Sequence, residues 1–267
     1  MTDDLNRDFI QSIERCMAVI KAFTDGKPFM SFSELAQATD LSKPTVRRIL
    51  LTLQQLGYTR SSGSHFALTP KLLELGYAYL SSQDLSEIAQ PLMEALTDSL
   101  RLSTSLVALD GQDIVYINRV HRHRITSITL AVGTRLPAHA TSSGHVLLAD
   151  LSPSELDEYF DHAELRPLTE HTVTTRSELE KRLQLVRERG WDAVDQELEI
   201  GRRSIAASIR DPSGRVVAAL SLSSGTSERS FPQLCEELLP PLMDTAQKIS
   251  AALGGSGYVS RKSVSFD

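Results

Sequence analysis

The chain has 267 residues, of which 41% are hydrophobic and 23% are charged, and its formal net charge is -6; this length and apolar content are typical of two domains with packed cores. Its two cysteines, Cys16 and Cys235, are too few and too distant in sequence for a disulfide framework or a zinc knuckle, which favours a reducing compartment. The sequence shows neither a signal-peptide pattern nor a long apolar run, so we expect a soluble cytoplasmic protein without membrane association.

Charge is distributed unevenly along the chain. Residues 1–83 carry 9 basic and 8 acidic residues, whereas residues 84–267 carry 19 basic and 26 acidic ones. The first part can approach a polyanion, and the second would be repelled by one. This asymmetry predicts one nucleic-acid-binding module and a second module with another task.

The first predicted element is an amphipathic helix that ends near Gly26. Its apolar positions repeat at helical spacing and comprise Phe9, Ile13, Cys16, Ile20 and Phe23. We expect this stripe to cover the core of the elements that follow, while the start of the helix could contact a partner chain.

Two short helices separated by a tight turn come next. Residues 31–39 begin with Ser31 and Glu34 at capping-box spacing, and residues 41–57 begin with Ser42 as N-cap and end at a glycine. The second helix has one apolar stripe, formed by Val46, Ile49, Leu50, Leu53 and Leu56. This arrangement predicts a helix-turn-helix.

The opposite face of the second helix is basic and polar. Between residues 41 and 73 there are five basic residues and no acid, in a chain that is acidic as a whole. A basic, hydrogen-bonding face on a capped helix is typical of a recognition helix in the major groove, although basic surface helices without this function are common. Leu51 points toward the polar face, where it could contact a thymine methyl or another segment.

Residues 58–68 contain two short alternating runs around a Gly/Ser turn, which predicts a β-hairpin. A hairpin directly after a recognition helix is a wing, and its basic side chains would lie beside the phosphate backbone. The predicted DNA contacts of helix and wing are Ser42, Lys43, Thr45, Arg47, Arg48, Arg60 and His65.

The rest of the chain predicts an α+β domain. A linker helix is expected over 70–83, then helices over 84–100, 142–148, 152 onward and 176–190, and a last helix over 231–253 in two pieces broken at Pro240 and Pro241. Strands are expected at 105–109, 114–117, 125–130, 191–194, 204–210 and 216–221. The predicted boundaries are 1–69 for a winged helix-turn-helix domain, 70–83 for the linker helix, 84–253 for the second domain and 254–267 for a disordered tail.

Catalytic motifs are missing from the sequence. It contains no phosphate-binding loop, no dinucleotide fingerprint, no H-E-x-x-H and no G-x-S-x-G. His121 and His123 could form a metal pair, but a basic surface patch is the simpler interpretation. His139 or His145 beside the neighbouring serines could suggest a hydrolase, yet no third group is identifiable. We therefore expect no enzyme activity and no cofactor.

Two segments predict a small-molecule pocket in the second domain. Residues 136–145 are rich in small side chains and run into the start of a predicted helix. The free backbone N–H groups of a helix start favour a carboxylate. In residues 190–224, Asp195 precedes Ser204, Ser221 and Ser223 on neighbouring strands, and the last two hydroxyls share one sheet face. Local capping by each serine remains an alternative interpretation.

Four stretches together resemble the IclR family of bacterial transcription regulators. They are LSKPTVRRILLTLQQLGY, LTPKLLELG, LPAHATSSGHVLLA and GWDAVDQELEIGRRSIAASIRDPSGRVVAALSLS. The match covers roughly residues 10–253 and keeps the motif order in both domains. The stretch RVHRHRITSITLAVGTRLPAHATSSG is similar to the subgroup that controls aromatic-acid catabolism through protocatechuate, 4-hydroxybenzoate or β-ketoadipate.

The resemblance implies a dimer or dimer of dimers that binds a near-palindromic double-stranded operator, with a GAF-like C-terminal domain that binds a small organic acid. Short aliphatic acids such as glyoxylate or pyruvate are the alternative to an aromatic acid, and an enzymatic second domain is a further alternative. This chain has Ser204 where a cysteine can occur and His145 where lysine is common. The implied effector contacts are Ser142, Ser143, Gly144, Asp195, Ser204, Ser221 and Ser223, with Arg135 and His139 as candidates for an aromatic carboxylate.

Overall fold

A computed structural model describes residues 9–23, 26–75, 85–121 and 131–254. The chain divides into two compact units, residues 1–82 and residues 83–267. Both mix helices with antiparallel sheet, so the α+β class predicted from the sequence is confirmed. The predicted strand at 125–130, most of the linker helix and the tail beyond residue 254 lie outside the described residues.

The N-terminal unit consists of three helices and a small sheet. Its elements are α1 (Gln11–Lys21), β1 (Met30–Ser31), α2 (Phe32–Thr39), α3 (Lys43–Gln55), β2 (Thr59–Ser62) and β3 (His65–Leu68). The three strands pair antiparallel in the order β1-β3-β2. The order of α2, α3 and the β2–β3 hairpin is that of a winged helix-turn-helix. A short 3-10 turn at Pro70–Leu72 follows it.

Local chemistry explains where these helices begin. Ser31 and Glu34 form a complete capping box at the start of α2, and Ser42 accepts a hydrogen bond from the backbone of Thr45 at the start of α3. Asp40, in the left-handed region at φ 52°, ends α2 and turns the chain into α3. Gly63 adopts φ 59° at the tip of the hairpin, where a side chain would be strained.

The core of the N-terminal unit differs from the prediction for α1. The buried residues are Val19, Met30, Leu35, Val46, Leu50 and Phe66. Phe9 and Ile13 are instead 57% and 59% exposed, and Cys16 and Ile20 are only half-buried. The reason is that α1 begins only at Gln11 and packs on the core through its last turns, so its first apolar residues have no neighbours to cover.

The C-terminal unit is built on a six-stranded sheet. Its elements are α4 (Leu85–Leu100), β4 (Thr104–Asp110), β5 (Asp113–Val120), β6 (Arg135–Pro137), α5 (Ser142–Leu148), α6 (Pro153–His162), α7 (Arg176–Arg189), β7 (Trp191–Asp195), β8 (Arg202–Arg210), β9 (Val216–Gly225) and α8 (Phe231–Ala252). All its strands pair antiparallel, in the order β6-β5-β4-β9-β8-β7.

Helices cover both faces of this sheet. On one face α5 and α7 pack together with strand residues such as Val107, Ala206 and Ala219. The helices α4 and α8 pack against each other and against the sheet through side chains that alternate to the other face. Between α5 and β6 lies a 3-10 turn at Ala138–Ala140, which brings the chain onto the α5 face.

The predicted break at Pro240 and Pro241 is wrong, because α8 continues from Phe231 to Ala252. Two consecutive prolines remove two backbone N–H donors from the helix, which costs stability. The helix nevertheless buries a continuous apolar row that includes Leu234, Leu238 and Leu242. Burial of each such side chain contributes about 1.5–3 kcal/mol, so packing along the whole row outweighs the lost hydrogen bonds.

Gly144 lies where α5 crosses the turn that precedes it. A Cβ atom at this position would overlap the backbone of Ala138, and its nearest neighbour would be the carbonyl oxygen. A backbone group cannot move aside as a flexible side chain can, so only glycine permits this close approach.

We expect Gly144→Ala to lower the free energy of unfolding of the C-terminal unit by about 1–3 kcal/mol or more, as overpacking does in other cores. Thermal unfolding followed by circular dichroism measures the effect. Gly225→Ala is the matched control, because a Cβ atom there would meet no atom closer than 3.6 Å. Equal melting temperatures for the two variants would contradict the close approach.

Candidate functional site

The exposed face of α3 carries the basic side chains that the sequence predicted to contact DNA. Lys43, Arg47 and Arg48 are exposed, whereas Val46, Leu50 and Leu53 on the opposite face are buried. The Ser42 hydroxyl lies 2.8 Å from that of Thr45, so these two residues form the polar start of the helix. Leu51 is 40% exposed on the same side.

Arg47 and Arg48 have different surroundings. Arg48, together with Thr45, lines a groove between α3 and α1 that also contains Arg15. Arg47 is not part of this groove. Two basic side chains of one helix therefore face different surfaces of the N-terminal unit.

The wing residues also differ from each other. Arg60 is exposed on β2, with its guanidinium carbon 5.7 Å from the centre of the Phe29 ring. His65 lies 3.9 Å from the Glu34 carboxylate, whose pKa is lowered chiefly by hydrogen bonds from the Ser31 backbone and side chain. His65 thus faces an acid within the unit, whereas Arg60 lies over an aromatic ring.

A cavity of about 470 Å³ opens beside the sheet of the C-terminal unit. This volume falls in the range of small-molecule sites. Its apolar wall includes Ile114, Leu136, Val194, Leu198 and Leu222. Its polar wall is rich in hydroxyl groups, which belong to Ser103, Ser105, Tyr116, Thr141, Ser143, Ser204, Ser221, Ser223 and Ser224.

Four predicted effector contacts are brought together at this cavity, namely Ser143, Ser204, Ser221 and Ser223. Strand register explains their proximity. Ser204 pairs with Ser223 across β8 and β9, and Ser221 pairs with Ser105 across β9 and β4. A fifth predicted residue, Ser142, is buried behind this wall and lies 2.9 Å from the Ser204 hydroxyl oxygen.

The other four predicted residues do not line the cavity, for separate reasons. Arg135 is exposed and pairs with Asp110 and Asp113. Asp195 is hydrogen-bonded to the guanidinium of Arg203. Gly144 is buried and serves the close packing described above.

His139 is the fourth residue away from the cavity. Its side chain is buried, and its Nε2 atom lies 3.1 Å from the carbonyl oxygen of Arg166. Burial lowers the pKa of His139, which favours the neutral imidazole. The proposed role of His139 in holding an aromatic carboxylate therefore has no geometric support.

The start of α5 also differs from the expected anion site. Thr141 is the N-cap, and its side chain accepts the hydrogen bond of the Gly144 backbone N–H at 3.0 Å. The helix has only seven residues. An amide expected to be free for a ligand is thus already occupied.

Sequence reasoning missed Arg119, which lines the cavity from β5. Its Nη1 donates to the Ser105 hydroxyl at 2.9 Å, and its guanidinium carbon lies 5.6 Å from the centre of the Tyr116 ring. Its Nε atom is buried without any hydrogen-bond partner. A basic residue near the end of the largely apolar stretch IVYINRV was the sequence signal for it.

The charge around Arg119 makes it a candidate for anion binding. Among the described residues, no carboxylate lies within ion-pair distance of it. Burial of the guanidinium lowers the pKa of Arg119, and the like charge of Arg202 acts in the same direction. The cavity lining as a whole contains four arginines and two glutamates. An anionic ligand would relieve this excess of positive charge.

His145 is not oriented to act as the base of a serine hydrolase. Its Nδ1 atom lies 2.6 Å from Asp192, so a histidine–carboxylate pair exists. Its Nε2 atom, however, lies 2.7 Å from the carbonyl oxygen of His139 and not beside a serine. The imidazole is fully buried and cannot act as a base for a serine hydroxyl in this position.

The described residues also bear on metal binding and on membrane insertion. These residues contain no cluster of three or more histidine, cysteine, aspartate or glutamate side chains that could hold a metal ion. Of the suggested metal pair His121 and His123, the residue His123 lies outside the described part of the chain. Among the helices that the structure describes, none combines the length and apolarity required to span a bilayer.

Comparison with known proteins gives relatives that match along both units. The C-terminal domain of the bacterial transcriptional regulator IclR matches residues 77–251, and the IclR helix-turn-helix domain matches residues 12–63. The Pca regulon regulatory protein of Pseudomonas putida is 40% identical, over 93% of this chain and 86% of that protein.

Two crystal structures are similar over nearly the whole chain. A transcriptional regulator from Rhodococcus sp. RHA1 is 46% identical with a TM-score of 0.82, covering 92% of this chain and 99% of that one. An IclR homolog from Microbacterium hydrocarbonoxydans, complexed with 4-hydroxybenzoate, is 26% identical with a TM-score of 0.79, covering 91% and 99%. With both units matched in order, this chain belongs to the IclR family of bacterial transcriptional regulators.

Proposed function

We propose that this regulator binds a small aromatic acid in the cavity of its C-terminal unit and changes its operator binding or promoter activation in response. The observation that carries this proposal is Arg119, a guanidinium in the cavity wall with a buried, unpartnered Nε and no carboxylate among the described residues to pair with. An acid is the class of ligand that supplies the missing charge and the missing acceptor.

The remaining lining of the cavity supports an aromatic acid. Apolar side chains such as Leu136 and Val194 can contact a ring, while hydroxyls from Ser204, Ser221 and Ser223 can bond to ring substituents. The printed name of one relative refers to the Pca regulon, and one similar structure contains 4-hydroxybenzoate. Glyoxylate or pyruvate would leave much of a cavity of this volume unfilled.

For the N-terminal unit, we propose that α3 enters the major groove of a double-stranded operator. Arg47 and Lys43 face outward from its first turns and would read bases, while Arg60 on the wing would bind a phosphate. A homodimer or a dimer of dimers would place two such helices on a near-palindromic site. The acid would act by binding better to one arrangement of the dimer than to another. We propose no catalytic role and no cofactor.

We expect Arg47→Ala to weaken operator binding by about 1–3 kcal/mol if Arg47 reads a base, since its bonds to a base edge would be lost. Fluorescence anisotropy with the promoter upstream of the gene and with a scrambled duplex measures this. Lys71→Ala is the control, because it removes the same charge from a side chain that already donates to the carbonyl oxygen of Leu56. Equal losses on both duplexes would reassign Arg47 to a phosphate.

We expect Arg119→Gln to weaken binding of 4-hydroxybenzoate by about 2–5 kcal/mol, since a buried carboxylate would lose its charged partner. Isothermal titration calorimetry measures the affinity. In the wild type, 4-hydroxybenzamide should bind far more weakly than the acid, and this preference should disappear in the variant. Arg187→Gln, which alters an exposed arginine on α7 away from the cavity, is the control. An unchanged preference for the acid would remove Arg119 from the binding site.

We expect the double variant Ser221→Val and Ser223→Val to lose the effector response while retaining operator binding, because valine is well suited to a strand but removes both hydroxyls and fills part of the cavity. Gel-shift titration with and without 4-hydroxybenzoate tests both properties. A double variant that responds like the wild type would show that these hydroxyls do not contact the acid.

A further inference from the structure

A buried group of charged residues lies directly behind the cavity, on the α5 face of β7. We define the Asp192 cluster as Asp192, His145, Arg182, Arg189 and Glu197. Val194, two residues further along the same strand face, lines the cavity itself. The cluster thus begins one side chain away from the wall of the cavity.

Asp192 is the centre of this cluster. Its side chain is fully buried, and its carboxylate contacts His145, Arg182 and Arg189. Burial alone would raise the pKa of Asp192, but the hydrogen bond and charge of His145 together with the two arginines lower it below its ordinary value. Asp192 is therefore ionised and acts as a common acceptor for three donors.

One branch of the cluster leads to the turn before α5. His145 contacts Asp192 through Nδ1 at 2.6 Å and the carbonyl oxygen of His139 through Nε2 at 2.7 Å. Both contacted atoms are acceptors, so the imidazole satisfies both only when each ring nitrogen carries a proton. In that state it ties residues 138–143 to β7, and this segment contributes Thr141 and Ser143 to the cavity wall.

The other branch leads to the loop between β7 and β8. The guanidinium of Arg182 donates to Asp192 at 3.1 Å, to the carbonyl oxygen of Ala193 at 2.9 Å and to Glu197 at 3.1 Å. The side chain of Glu197 is nearly buried. Its backbone carbonyl oxygen accepts a hydrogen bond from the Thr172 hydroxyl at 2.6 Å. This loop contributes Leu198 and Glu199 to the cavity wall.

We propose that the Asp192 cluster holds two separate parts of the cavity wall, residues 138–143 through His145 and residues 196–201 through Arg182 and Glu197, and so sets the shape into which the acid fits. The proposal rests on the proposed function only in naming the occupant of the cavity. Asp192, His145 and Glu197 are positioning residues, since they act on the ligand through the segments that they hold and not by contact.

Hydrogen exchange of the ligand-free full-length protein, followed by mass spectrometry, tests whether the two branches of the cluster each hold their own wall segment. Both wall segments contain hydrogen-bonded amides that report on opening, such as Gly144 with Thr141 and Gly201 with the Gln196 side chain. We expect His145→Gln to accelerate exchange only in residues 138–145, Glu197→Gln only in residues 196–202, and Asp192→Asn in both. The expected acceleration is about 10-fold or more, because each change weakens a hydrogen bond to a charged group.

Two comparisons separate positioning from general stability. Peptides of α8 serve as an internal reference and should exchange as in the wild type. Asp150→Asn is the matched control, since Asp150 accepts bonds from Arg210 at 3.0 Å and from the Val216 backbone at 2.8 Å in the same unit but away from both wall segments. It should accelerate exchange near residues 210–216 and leave the two wall segments unchanged.

The proposal is overturned if the three cluster variants accelerate exchange equally across α8 and both wall segments, or if neither wall segment responds. If Asp192→Asn fails to fold, the exchange pattern of the conservative Glu197→Gln variant still tests the proposal. Titration with 4-hydroxybenzoate gives the second readout, for which we expect each cluster variant, but not Asp150→Asn, to bind about 10-fold more weakly or worse. Wild-type protein that binds no 4-hydroxybenzoate would count against the proposed ligand alone, while the exchange pattern still decides the role of the cluster.

Discussion

Antiparallel pairing of β4, β9 and β8 at a single register is the constraint on which the effector cavity depends. This register sets Ser105 opposite Ser221 and Ser223 opposite Ser204, so that hydroxyls from three strands share one face. A slip of one residue would turn them all to the α8 face and replace them with Ile205 and Leu222. The helices on the two faces stabilise this register. On the serine face, α5 and α7 pack on Val107, Ala206 and Ala219, and on the opposite face α8 packs on the side chains that alternate with the serines.

The basic side chains of this chain lie in two different kinds of surroundings. Lys43, Arg47 and Arg60 are exposed, where solvent screens them and a polyanion can displace their counterions. Arg119 lies at a partly buried site among the hydroxyls of the cavity wall, where a charge without an acidic partner is costly and a bound carboxylate is correspondingly stabilising. Burial therefore separates a surface suited to long nucleic acids from a site suited to one small acid.

The polar interior of the C-terminal unit is organised in two layers. The inner layer consists of the hydroxyls and Arg119 that face the cavity, and their hydrogen-bonding capacity is only partly used by the protein. The outer layer is the Asp192 cluster, in which His145 and Arg182 bond to Asp192, Glu197 and two backbone carbonyls, and one buried oxygen, Glu197 Oε2, has no partner among the described residues. This difference gives the cavity free polar groups for a ligand on a rigid support, which is the arrangement that pre-organised binding sites require.

The sequence by itself determined the local elements and indicated the two candidate binding surfaces in outline. Capping residues such as Ser31 and Ser42 act over a few residues, so the starts of α2 and α3 could be predicted from them. Alternation along β9 likewise predicted that Ser221 and Ser223 share a face. Tertiary packing decided the rest: it kept α8 continuous through Pro240 and Pro241 and left Phe9 exposed. It also paired Arg135 with Asp110 while leaving Arg119 without an acid among the described residues, because partners far apart in sequence are set by the fold and not by neighbouring residues.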